Sequence, residues 1–109
     1  MRTIDPQEAV DFLFRAGPAH AKAKAERVYL EEYRKSKKAL LMQEHSDKPL
    51  GTQEREAYAH EDYIRLLEAL KAAVEAEEAA RWQLVAAQAR VEVWRSQEAS
   101  ARAQDRATQ

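Results

Sequence analysis

Ala59, Tyr63, Leu66, Leu70, Ala73, Glu77, Ala80, Leu84, Ala87, Val91 and Trp94 recur at alternating four- and three-residue intervals. That spacing predicts a helix with a heptad seam sustained for about five repeats, the pattern of left-handed supercoils. Glu77 is the one charged residue on the seam. A second apolar set, Trp82, Val85, Ala86, Ala89 and Val93, belongs to the distal half alone. At about 100° per residue it falls roughly opposite Leu84, Val91 and Trp94. Two apolar faces need two neighbours.

Upstream, Asp5-Pro6 reads as an N-cap followed by proline at the first helical position. Ala9, Val10, Phe12, Leu13 and Phe14 then make a short apolar helix over 6–16, ended by Gly17-Pro18. A second helix over 18–44 gathers Ala19, Ala23, Tyr29, Leu30, Tyr33, Leu40 and Leu41 on one side, interrupted by Lys22, Glu26 and Lys37. The stretch His45–Gly51 reads as a turn with Thr52 as the next N-cap, and a loop of that size joins antiparallel neighbours. The third helix covers 53–103, and 104–109 is a polar tail expected to fray.

Glycine and proline stand only at Pro6, Gly17, Pro18, Pro49 and Gly51, so nothing after Gly51 punctuates the chain. The third helix then runs roughly 75 Å, against roughly 40 Å for the second. On this reading its distal half has no intrachain partner, and other chains must cover it. The expected fold is all-α: a helical hairpin with a short N-terminal helix and a very long C-terminal helix, forming an oligomeric coiled-coil-like bundle in a single domain. Leu66, Leu70, Glu77, Trp82, Leu84, Val85, Val91 and Trp94 are the candidate oligomer interface. Glu77, facing Arg81 or a neighbour's basic residue, would fix register.

Composition adds exclusions. The 109 residues are 45% hydrophobic and 34% charged, which does not fit a disordered chain. With no cysteine there is no disulfide framework and no thiolate zinc site. The first residues lack the apolar run of a signal peptide, and no stretch is long enough to span a bilayer. A cytoplasmic location and no membrane partner are therefore expected. Net charge is −1 overall. Residues 1–51 are slightly basic and 52–109 slightly acidic, a difference too small to argue for nucleic-acid binding by itself.

Catalytic chemistry finds little to build on. His20, His45 and His60 have neither Glu-x-x-His nor His-Glu-x-x-His spacing, two glycines make no phosphate loop, and the serines sit in polar settings. No catalytic residue, metal ligand or cofactor is expected, and the chain does not read as an enzyme. Arg34, Lys35 and Lys38, in the run Arg34-Lys35-Ser36-Lys37-Lys38, are the candidate phosphate contacts. A solvated face with Lys35 paired to Glu31 is the plainer account of them.

Two blocks, Ala25–Leu41 and Ala80–Ser96, resemble small helical proteins of tailed bacteriophages and prophages, carried in early gene clusters for recombination and replication. The resemblance covers about residues 9–102. It implies a bacterial host cell and an accessory role in DNA metabolism, and no catalytic residues. The expected function is a non-enzymatic homo-oligomeric scaffold, trimeric or larger rather than dimeric. Single-stranded DNA or a phage or host DNA-metabolism protein would be its further partner. The alternative is a phage-encoded adaptor or inhibitor that offers the Trp82/Trp94 surface to a host protein.

Overall fold

The computed structural model describes residues 3–108. Three helices follow one another, with no strand among the described residues: α1 (Pro6–Gln43), α2 (Leu50–Ala59) and α3 (Glu61–Thr108). The fold is all-α, and its C-terminal helix is the longest at 48 residues. The chain packs as two compact units. One joins the segment up to His20 with the segment from Ala79 onward, and the other is Ala21–Glu78.

The separate short N-terminal helix is not formed. α1 runs unbroken for 38 residues with Pro18 inside it. An interior proline removes one hydrogen bond and crowds the carbonyl four residues back. It also clashes with the Cβ of the residue before it. Here that residue is Gly17, which has no Cβ. Phe14, which loses the amide partner for its carbonyl, and Pro18 are both exposed, so water can take that carbonyl. The N-terminus follows the sequence pattern: the Asp5 carboxylate accepts the backbone N–H of Gln7 at 2.9 Å and of Glu8 at 3.4 Å.

An uninterrupted α1 overturns the length argument. In the first unit the start of α1 supplies Ala9, Leu13, Ala16 and His20, all withdrawn from solvent, while α3 supplies Ala80, Leu84, Ala87, Val91 and Trp94. The distal α3 seam thus has a partner within its own chain. Ala9, Ala16 and Ala87 are buried, and such small side chains let two helix backbones approach closely.

The second unit is a hairpin closed by α2. Its seam uses Ala23, Arg27, Leu30, Arg34, Lys37 and Leu41 from α1, and Tyr63, Leu66, Leu70, Ala73 and Glu77 from α3. Ala19, Tyr29, Tyr33 and Leu40 lie outside the α1 seam and are exposed, so the buried side of α1 is rotated from the apolar side read in the sequence. Arginine and lysine occupy seam positions because their aliphatic stems can lie on apolar neighbours while the charged ends reach out. At the closed end Leu41, Ala57 and Tyr63 form a small core with Met42 against it.

The long helix expected over 53–103 also begins differently. After turns at Glu44–Asp47, Pro49 precedes α2, and Thr52 lies inside that helix rather than at its cap. α2 then stops at His60, whose backbone is extended (φ −66°, ψ 138°). The Asp62 N–H donates to His60 Nδ1 at 3.0 Å, so the imidazole caps α3, with Glu61 and Asp62 in the first turn where the helix dipole favours carboxylates. At the other end the helix continues through Thr108, across most of the tail expected to fray; Gln109 lies outside the described residues.

Candidate functional site

About half of the charged side chains in the second unit pair with one another. Arg27 and Glu77 face each other from α1 and α3. Arg27 Nε donates to Glu77 Oε2 at 2.6 Å and Nη2 to Oε1 at 3.0 Å, a bidentate pair, while Nη1 donates to Glu31 at 3.0 Å. The Arg27 pKa is raised, first by hydrogen bonding to Glu77, while partial burial works the other way. The seam glutamate is therefore held within the hairpin, and the register it specifies is that of α1 against α3.

The basic run meets a similar fate. Lys35 pairs with Glu32 at 3.2 Å, rather than with Glu31. Lys37 reaches Asp62 at 3.7 Å. Lys38 lies 4.6 Å from the centre of the Tyr58 ring and 3.5 Å from Glu54. Its pKa is raised, first by the Tyr58 hydroxyl and then by Glu54. Arg34 is half-buried and has no carboxylate within 4.0 Å among the described residues. Arg34, Lys35 and Lys38 do come together, lining a groove with Tyr58 and Tyr63, but most of their charge is matched locally.

His60 lies 3.8 Å from Glu44 and 3.9 Å from Asp62. Among the described residues no group of three histidine or acidic side chains is placed to hold a metal ion, and no helix is long and apolar enough to cross a membrane.

The residues offered as an oligomer interface separate into two sets. Leu66, Leu70 and Glu77 in the second unit, and Leu84, Val91 and Trp94 in the first, are at least half-buried seam positions inside the monomer. Trp82 and Val85 are not. Trp82 is 60% exposed, with the Arg81 guanidinium 4.9 Å from its ring centre, and Val85, Ala86, Ala89 and Val93 are exposed with it. This stripe is the apolar face of the distal helix that nothing in the first unit covers. A further exposed aromatic pair, Tyr29 stacked on Tyr33 at 5.9 Å, lies on α1 in the second unit. The four-residue spacing of those tyrosines was visible in the sequence, but was read as part of the core.

No protein family matches this chain, and no match is found among curated proteins or solved structures. The class that fold and surface define is thus an all-α helical hairpin with an apolar stripe exposed on its distal α3 segment.

Proposed function

We propose that this chain is a non-enzymatic helical module that works by protein–protein association through the distal α3 stripe, in the first instance with a second copy of itself. The observation that carries the reading is the exposure of Trp82, Val85 and Val93 on one face of a helix whose opposite seam is already occupied. Tryptophan is a frequent anchor of interfaces, and an uncovered indole among aliphatic neighbours marks a contact surface better than scattered apolar residues do. The face that carries Leu84, Val91 and Trp94 is occupied within the chain, so on the distal helix one face is left for a neighbour, and a dimer is proposed in place of the trimer or larger bundle expected from two free faces.

Sedimentation equilibrium across a hundredfold range of concentration tests this, with wild type beside Trp82→Glu. The wild type is expected to gain mass with concentration and the variant to stay monomeric with unchanged helicity, because a carboxylate in a dry contact costs several kcal/mol. Trp94→Glu is the wrong probe, since Trp94 is half-buried on the seam and its loss would disturb the fold itself. A wild type that stays monomeric throughout refutes self-association. The adaptor reading keeps the same surface and gives it to a different protein.

Phosphate contact is the weaker proposal. Lys35 and Lys38 each have a carboxylate partner, which leaves Arg34 as the one member of the trio without a carboxylate within 4.0 Å among the described residues. An accessory role in phage DNA metabolism is proposed on the resemblance of the two helical blocks alone. Binding to a single-stranded oligonucleotide that falls steeply with added salt would restore the nucleic-acid reading.

A further inference from the structure

The uncovered stripe has a two-fold pattern written into it. Arg81-Trp82 stands at one end and Glu92-Val93 at the other, eleven residues on. Eleven residues are close to three full turns, so the two dipeptides point the same way, roughly 16 Å apart along the axis. Each end offers an apolar residue on the stripe and a charged residue on the same edge of it, and the charges are opposite. Ala86 and Ala89 lie between them, small enough for two helices to come close.

We infer that a second copy of this chain docks antiparallel on the stripe, which places Trp82 of each copy against the other's Val93 and Arg81 of each beside the other's Glu92. This deepens the self-association proposed above and rests on it. In an antiparallel pair the same edges of the two helices meet, so both Arg–Glu contacts form at once by symmetry. A parallel partner sets each residue level with its own twin, and the reciprocal pairing is lost. Glu92 already holds Arg95 at 3.1 Å, and Arg81 rests on the Trp82 ring. Both side chains are exposed, and a guanidinium with five N–H donors can keep its contacts within the chain while it meets a second carboxylate. A stripe roughly three helical turns long is small beside the about 1,600 Å² of a standard interface. The pairing is therefore weak and reversible, and sensitive to single charges.

Charge reversal tests the geometry. Arg81→Glu and Glu92→Arg are each expected to weaken the dimer about tenfold, because each places like charges in both contacts. The double variant, and an equimolar mixture of the two single variants, are expected to regain wild-type association, since in both cases every contact again joins opposite charges. Circular dichroism should show all variants equally helical, as both positions are exposed on the helix. The chain has no native cysteine, so Val93→Cys adds a clean reporter. Its twin lies roughly 16 Å away along the axis in the antiparallel pair, and it should fail to form a disulfide dimer. A wild type that remains monomeric overturns the self-association reading and this inference together. A wild-type dimer whose reversals are not rescued, a Val93→Cys variant that crosslinks to itself, or a species heavier than a dimer overturns the antiparallel pairing and leaves self-association standing.

Discussion

Leu40 and Leu41 are chemically identical neighbours on α1, yet Leu41 is 3% exposed and Leu40 is 52% exposed. Replacing each by alanine measures which way the helix faces. Leu41 touches the core that includes Ala57, itself 1% exposed, and Tyr63, with Met42 beside it. Truncation removes buried methyl groups and leaves a cavity that Ala57 is too short to fill, although the flexible Met42 can relax into part of it. Large-to-small changes of this kind cost about 2–5 kcal/mol, and partial collapse puts Leu41→Ala near 3 kcal/mol. In a chain of this length that is a large share of a total of roughly 5–15 kcal/mol. It lowers the melting temperature by about 10–15 °C. Leu40→Ala should stay within about 0.5 kcal/mol of wild type, because it uncovers little and alanine is the better helix former. Urea titration followed by far-ultraviolet circular dichroism, at a concentration low enough to keep the chain monomeric, reads both. Equal losses, or a larger loss at Leu40, would refute the rotational phase of α1 and the hairpin core built on it.

Two further outcomes follow from the same structure. Pro18→Ala restores the amide that α1 lacks for the Phe14 carbonyl and should stabilise the chain by about 1–2 kcal/mol, part of the penalty an interior proline carries; a lower melting temperature would refute that account. Lys38 has a pKa raised above 10.5 in the folded chain, first by the Tyr58 hydroxyl and then by Glu54. A raised lysine favours the folded state fully below its unfolded pKa and loses that contribution as pH climbs through the folded value. The stability gap between wild type and Lys38→Met should therefore hold steady near neutrality and narrow above pH 10.5, as read by chemical denaturation along the alkaline limb; a gap that widens there would reverse the sign of the interaction.

The α3 seam was legible in the sequence almost residue for residue. From Tyr63 to Trp94 each position read at four-three spacing is withdrawn from solvent, because leucine, valine, tryptophan and alanine at heptad spacing carry an unambiguous signal. Ala59, the first residue of that series, falls in α2 and is exposed. The α1 seam was not legible. His20, Arg27, Arg34 and Lys37 occupy four of its positions, and a search for apolar periodicity turns toward Tyr29, Tyr33 and Leu40 instead. Gly17-Pro18 was read as a stop, although a glycine before the proline relieves much of the steric reason for stopping. The break at His60 lacked glycine and proline altogether. Its signal was the acidic pair Glu61-Asp62, which suits the first turn of a new helix. At the candidate site the spacing sets Trp82 and Trp94 on opposite faces, yet both are assigned to one oligomer interface, because the start of α1 that covers the Trp94 face is not expected there.

That separation of the two indoles decides what the distal helix can do. Trp94 is spent on the seam, so the fold is complete without Trp82, and the stripe around Trp82 adds little to the stability of a lone chain. Its apolar surface becomes favourable only when another surface dries it, at roughly 25 cal/mol per Å². For an area of about 1,000 Å² the gross gain is at most roughly 25 kcal/mol, and the about 4–15 kcal/mol of lost freedom, together with side-chain ordering and the desolvation of polar groups, offsets most of it. The proposed pairing is therefore one that forms and dissolves with concentration rather than a permanent one.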